Sequence, residues 1–427
     1  MNHTQNERIK QVQEETIIIG IDIASEVHYA RAFDWRGIEL GKVISFDNKF
    51  EGFTKLRMWI QTLMIEHGKE KVLLGAEPTG HYWFSLADYA KENELKLVLV
   101  NPYHVKKSKE LDDNHPSKSD RKDPKTIAKL VIEGRYIEPY IPEGVYAELR
   151  IATASRDRLV KDLNGLKNRI ERWLKIYFPE YKEVFGSPYG IGSMVVLCNA
   201  PLPEDIMKLG AKGINQLWRD RKIRAVGMKR AEELYAAAKR SVGRKTGIRM
   251  ARMEILMLLE DYHRKIEQQE ELLEIIEALC LDIPEVEKIL KIKGVGLVSV
   301  AGFFAEVGDI RRFKSPKQIQ KLAGLAIKEN SSGKHKGQTG ISKRGRKRLR
   351  AILFQVIMPL VAKNEQFKEI HRYYTTRKQN PLKKKQSLIA ICCKLIRVIF
   401  GICTKGFDYD GNKMITDIKR PAELVAA

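Results

Sequence analysis

Cysteine is scarce in this chain, and what there is suits neither of its usual structural roles. The five that occur, Cys198, Cys280, Cys392, Cys393 and Cys403, are odd in number, lie among apolar residues and never take CxxC spacing. That excludes a thiolate zinc site and a fully paired disulfide framework, and leaves reduced thiols in the core. Long unbroken apolar runs are missing too. The first stretch, MNHTQNERIKQVQEE, is polar, and the most apolar late segment, SLIAICCKLIRVIFGIC, is interrupted by Lys394 and Arg397. Neither a signal peptide nor a membrane span is expected, and a cytoplasmic location is the expectation. Acidic residues are also in short supply. The chain has 54 Asp and Glu against 77 Lys and Arg, a formal net charge of +23. An excess of that size points to a polyanionic partner, with an acidic membrane surface the weaker competitor.

What is present divides into regions. With 427 residues, 43% of them hydrophobic, the chain is long enough to bury two or three cores. Residues 1–140 alternate β-rich stretches (TIIIGIDIA, HYARAFDW, IELGKVISF, KVLLGAEP, KLVLVNP) with helical ones (FTKLRMWIQTLMIEHG, HYWFSLADYAKENE, DPKTIAKLVIEG). The first three β stretches read as a meander and the whole as an α/β domain, closed by a linker at Pro139 and Pro142. In residues 141–282, Leu159, Leu163, Leu166, Ile170, Trp173 and Tyr177 recur at steps of four and three, as do Ile255, Leu259, Tyr262, Ile266, Gln269, Leu273, Ile276 and Cys280. Two long helices with coiled-coil seams should therefore pair, within or between chains, around a small helical insert at about 186–245. Residues 283–405 form a mostly α-helical C-terminal domain, and 406–427 a tail. Near its start, Gly294 and Gly296 separate two helical patterns. That spacing fits either a phosphate-gripping helix-hairpin-helix or an ordinary tight connection.

Four carboxylates sit where an α/β architecture brings them together. Asp22 follows the apolar run IIIGI and Glu77 follows VLLGA, so each emerges at the end of a strand. Asp120 and Asp123, three apart at the start of the last helix of the domain, would share one face. Taken singly, each carboxylate is equally a helix cap or a turn residue. Together they form an oxygen-only cluster that needs cations to neutralise it. Such ligands favour Mg²⁺, or Mn²⁺, which can polarise a phosphodiester.

The second constellation is LAGLAIKENSSGKHKGQTGISKRGRKRLR. From Lys328 to Arg350 it has nine Lys or Arg and one acid, Glu329, a natural complement to duplex phosphate. Lys334, Lys336, Lys343, Arg344, Arg346, Lys347, Arg348 and Arg350 are the candidate nucleic-acid contacts. Gly333, Gly337, Gly340 and Gly345 are expected to let a loop approach DNA closely, with Lys347 to Arg350 entering a helix. A hydroxyl held among such cations next to a metal-bound phosphate is activated for attack. Composition does not choose among Ser331, Ser332 and Ser342, each of which is equally a capping group, and His335 stands by as a proton carrier or a solvated loop residue. Further on, Tyr373 and Tyr374 lie among Arg372, Arg377 and Lys383 to Lys385, a mixture that suits stacking and phosphate contact or simply a solvated basic face.

GIDIA with Asp22, GAEPTGHYW with Glu77, and KSDRKDPKTIA with Asp120 and Asp123 resemble the RNase H-like fold of RuvC-type junction resolvases. Together with SSGK and ISKRGRKRLR they more closely resemble the DEDD transposases of the insertion-sequence one-ten family, the bridge-RNA-guided serine recombinases. Pro124, Lys334 and Ile327 depart from the family's habits of a small helix former, a second glycine and a proline. The resemblance implies a transposase that cuts and rejoins DNA through a phosphoserine linkage at Ser332, with Ser331 as the fallback. It also implies a Mg²⁺ site of Asp22, Glu77, Asp120 and Asp123, and a guide RNA. Separation of the two sites by coiled coils suggests a homodimer or tetramer whose neighbouring subunit supplies the serine. Two rivals stand beside this reading: a resolvase that hydrolyses DNA with water, and a non-catalytic nucleic-acid-packaging protein.

Overall fold

The computed structural model describes residues 2–112, 123–328, 331–332, 335–336 and 340–416. The chain divides into two compact units, 1–141 and 142–427.

The first unit contains α1 (Asn2–Ile9), β1 (Thr16–Asp22), β2 (Val27–Phe33), β3 (Glu39–Asp47), α2 (Phe50–Glu66), β4 (Lys71–Ala76), α3 (Phe84–Glu92), β5 (Lys96–Val100), α4 (Pro102–Asp112), α5 (Asp123–Ile132) and β6 (Tyr136–Ile137). The strands form one sheet in the order β3-β2-β1-β4-β5-β6. β1 to β3 make the antiparallel meander, and β4 and β5 run parallel to β1. Because β1 is central, its apolar run is buried on both faces. Ile17, Ile19 and Ile21 meet Phe53, Leu56 and Ile60 of α2 and Leu86 of α3. Ile18 meets Ile127, Leu130 and Val131 of α5. Each such isoleucine contributes roughly 1.5–3 kcal/mol by leaving water, which fixes the strand's register and the height at which Asp22 ends it.

The second unit is helical apart from one short segment. Two 34-residue helices, α6 (Gly144–Tyr177) and α11 (Ile248–Leu281), lie against each other. Leu163, Leu166, Ile170 and Trp173 of the first seam and Ile255, Leu259, Tyr262, Ile276 and Cys280 of the second are buried, while Gln269 is half-buried. Between them come α7 (Tyr181–Val184), α8 (Ile191–Asn199), α9 (Pro203–Asp220) and α10 (Met228–Lys239). These share one core with the facing parts of α6 and α11, in which Trp173 and Trp218 are fully enclosed.

A second core joins the start of α6 and the end of α11 to the C-terminal elements of the chain. These elements are α12 (Pro284–Leu290), α13 (Leu297–Val307), α14 (Pro316–Leu322), the two-residue strands β7 (Ile327–Lys328), β8 (Ser331–Ser332), β9 (His335–Lys336) and β10 (Gly340–Ile341), then α15 (Lys347–Lys363), α16 (Glu365–Thr376), α17 (Lys384–Lys405) and α18 (Gly411–Ile415). Among the described residues α17 is the one helix long and apolar enough to cross a membrane. Its Ile391, Cys392, Leu395, Ile396 and Ile399 are instead buried in this core. Gly294, with φ +99, packs directly on α15, where a Cβ would lie 2.8 Å from the Leu360 Cα and the Pro359 carbonyl. Its missing side chain thus serves the tight helix connection.

Candidate active site

Strands β1 and β4 are aligned so that Gly20 faces Gly75 and Ile21 faces Ala76. Asp22, the last residue of β1, and Glu77, the first beyond β4, therefore stand side by side at the C-terminal ends of the two central strands. Strand alternation puts each carboxylate on the same face as the glycine two residues before it. On that face lies α5. A Cβ at Gly20 would come 1.8 Å from the Pro124 carbonyl oxygen, and one at Gly75 would come 2.5 Å from Val131 Cγ2. Bare backbone on two adjacent strands is what lets α5 sit this low, and it brings the helix's first residue, Asp123, to the rim that holds Asp22 and Glu77.

The electrostatics agree. Partial burial pushes the Glu77 carboxyl above its ordinary range; the Lys109 ammonium opposes that shift, and the Asp123 carboxylate adds to it. Lys109, on α4, forms an ion pair with Asp123, so the crowded acids have already drawn in a cation. Among the described residues no three carboxylate, imidazole or thiol groups stand close enough to hold a metal ion by themselves. Asp120, the fourth expected ligand, lies outside the described residues. What is described suits a hard divalent cation in donor type and charge: the acids offer only oxygen, and their mutual repulsion is relieved by positive charge. Lys109 and the two glycines escaped sequence reasoning. The glycines had a signal, since GID and GAE share the pattern of glycine two residues before the acid.

Ser331 and Ser332 do not lie in an irregular loop. They form β8, paired antiparallel with β9 so that Ser332 faces His335, and β7 pairs with β10. The base of this segment is locked by backbone bonds from Ser342 to Ala326 (2.8 Å), Lys343 to Gly324 (3.0 Å) and Arg346 to Leu322 (2.7 Å). Gly345 belongs to that lock, because a Cβ there would lie 2.4 Å from the Leu322 carbonyl oxygen. Its role is internal closure, where close approach to DNA had been expected. Gly333, Gly337 and Lys334 lie outside the described residues, and Lys336 sits in β9. Ser342 is half-buried, its hydroxyl donating to the Gly324 carbonyl at 3.4 Å.

The expected phosphate contacts fall into two groups. Lys343, Arg344 and Lys347 are exposed. Arg346, Arg348 and Arg350 are engaged within the fold. Arg346 binds the buried Glu306 at 3.3 Å, and Arg348 binds Glu306 at 3.2 Å and Asp157 of α6 at 2.7 Å. Arg350 donates to the Ala323 and Lys343 carbonyls at 2.9 and 3.2 Å. Glu306 and Asp157 were not anticipated, being far away in sequence. Arg377 lies over the Tyr374 ring, 5.8 Å from its centroid.

The carboxylates at one rim of the α/β sheet and the exposed cations at the hairpin base of the helical unit are each of a chemistry suited to nucleic-acid phosphodiesters. Comparison with known proteins narrows this. Residues 19–179 match a transposase family model of the DEDD IS110 type, and residues 286–372 match that of the IS116/IS110/IS902 transposase family. The first span contains Asp22, Glu77, Asp120 and Asp123, the second Ser331 and Ser332. The chain is 26% identical to the transposase for insertion sequence element IS1111A of Coxiella burnetii, over 79% of its own length and 75% of the relative's. It is 25% identical to an IS116 insertion-element protein of Streptomyces clavuligerus (67% and 71% covered) and 23% identical to the pilin gene-inverting protein of Moraxella lacunata (92% and 97% covered). The chain belongs to the IS110 family of transposases, enzymes that act on DNA.

Proposed function

We propose that this transposase cuts and rejoins DNA through a covalent phosphoserine, with Ser332 as nucleophile and Ser331 as the fallback. Asp22, Glu77 and Asp123, with Asp120, are the residues that would hold Mg²⁺ or Mn²⁺ against the scissile phosphate. When bound, the ions polarise the phosphorus–oxygen bonds and neutralise the charge that develops on them. The seryl oxygen forms a bond to phosphorus as the bond to the leaving sugar oxygen breaks; the hydroxyl proton is lost and the leaving oxygen gains one. Energy of the broken ester is kept for rejoining, so no nucleotide triphosphate is needed.

The observation that carries this reading is the glycine seat, which delivers Asp123 to the strand ends bearing Asp22 and Glu77. The strand order β3-β2-β1-β4-β5 supports an RNase H-like, RuvC-type reading of the first unit, and the α6–α11 pair supports a coiled-coil role in assembling a dimer or tetramer. Inversion of a gene segment, the activity named for the Moraxella relative, likewise requires that cut ends be rejoined. A guide RNA, implied by the family, completes the proposal.

The test is a denaturing gel of element-end DNA after reaction. Protein should remain attached to DNA strands, and Ser332→Ala should abolish the adduct while DNA binding persists. Cleavage with no adduct would favour hydrolysis by water. Asp22→Asn should remove both cleavage and adduct, and an unaltered phenotype for Asp22→Asn and Ser332→Ala would favour a packaging protein. Sequencing of RNA that co-purifies with the protein tests the guide.

A further inference from the structure

The helical insert takes no part in the chemistry above, yet between residues 186 and 245 it carries twelve Lys or Arg against five Asp or Glu. Most telling is the turn joining α9 to α10. It is rooted in the core by Trp218, whose indole N–H donates to the Gly192 carbonyl at 2.8 Å and whose own carbonyl accepts from the Ile223 amide at 2.9 Å. The Arg219 guanidinium folds back inside the turn to the carbonyls of Ile223, at 3.0 Å, and Val226. One arginine is thus consumed in shaping the turn, and the others face outward.

Arg221, Lys222, Arg224 and Lys229 are all exposed. Three nearby cations are neutralised: Lys182 pairs with Glu171, Arg230 with Glu233 and Arg240 with Glu183. No carboxylate among the described residues pairs with Arg221, Lys222 or Arg224 on the turn or with Lys229 at the start of α10. Lys222 is left-handed, with φ +57, immediately after the last residues of α9. Glycine fills such a position at lowest backbone cost. The chain keeps a cation where its backbone favours none.

We propose that this turn is a second DNA-binding surface, a sequence-independent grip on the phosphates of duplex DNA away from the reacting strands. The chemistry favours that partner. Three unneutralised cations on a pre-shaped turn, with Lys229 in the first turn of α10, complement closely spaced phosphates. The residues separating them, Ile223, Ala225, Val226, Gly227 and Met228, carry no aromatic ring on which to stack an unpaired base. With its shape already set by the Trp218 and Arg219 hydrogen bonds, the turn would lose less freedom on contact than an unstructured loop.

The test uses the full chain and a fluorescein-labelled DNA duplex of arbitrary sequence, with affinity read by anisotropy across a salt series. For the combined variant Arg221→Gln, Lys222→Gly, Arg224→Gln and Lys229→Gln, the slope of log affinity against log salt should fall by about three to four, and by about one for Lys222→Gly alone. Because glycine suits the backbone, Lys222→Gly should melt no lower than the parent, which separates lost contact from lost folding. An unchanged slope in both variants overturns the proposal. So does a loss confined to an RNA hairpin probe, which would reassign the surface to RNA.

Discussion

His28 shows how closely a single side chain is tied to the acidic rim. It is fully buried, its ring 5.2 Å from that of Phe46, and its Nδ1 accepts the Ala24 amide at 3.2 Å, two residues beyond Asp22. Burial pushes its pKa below the ordinary value, against a weaker opposing effect of Asn48. The folded chain therefore binds fewer protons than the unfolded one, and the stability it contributes is complete above about pH 6.5 and lost as pH falls through the depressed folded value. Thermal unfolding between pH 7 and 5 should show that decline, and His28→Gln should flatten it. Gly20→Ala is the sharper substitution. With a carbonyl 1.8 Å from the new methyl, α5 must lift, at a cost of about 1–3 kcal/mol or more, and the denaturant midpoint should drop along with DNA cleavage. At this scale the strand-end positions of Asp22 and Glu77 were legible, because an acid ending an apolar run is conspicuous. The purpose of Gly20 and Gly75 was not, since a sequence shows a small residue without showing what lies over it.

Among the elements, the long amphipathic ones were the readable ones. α2, α5, α6 and α11 each follow an apolar period sustained over several turns, and the strands of the first sheet follow runs long enough to register. β7 to β10 hold two residues apiece, too few to display any period, so the serine segment reads as a loop. The internal partners of Arg346, Arg348 and Arg350 were not readable for another reason. Charge in a sequence does not disclose its partner, and Glu306 and Asp157 come from α13 and α6. Two substitutions separate these roles. Arg348→Gln should lower the melting temperature with little change in the salt dependence of DNA binding. Lys343→Gln should leave melting unchanged and reduce the salt slope by about one. Glu306→Ala, which removes the carboxylate shared by Arg346 and Arg348, should destabilise the helical unit by roughly 1–3 kcal/mol in denaturant titration.

For the molecule as a whole, the α/β region followed by paired long helices and a helical C-terminal region was readable from composition and period. Less legible was how the pieces share their interiors. α6 and α11 each serve two cores, and the insert closes one of them by laying Trp218 against the segment that holds Gly192. Trp218→Ala should accordingly cost about 3–5 kcal/mol, seen as a lowered unfolding temperature of the helical unit. The seat made by Gly20 and Gly75 has a further mechanical meaning. Where the backbone of Gly20 meets the Pro124 carbonyl no side chain intervenes, so the strand end bearing Asp22 and the helix start bearing Asp123 are set against each other with little slack. On the proposed metal-binding reading, accommodation of an ion would fall to rotation of the carboxylates about their own bonds and to the swing of Lys109, which now pairs with Asp123.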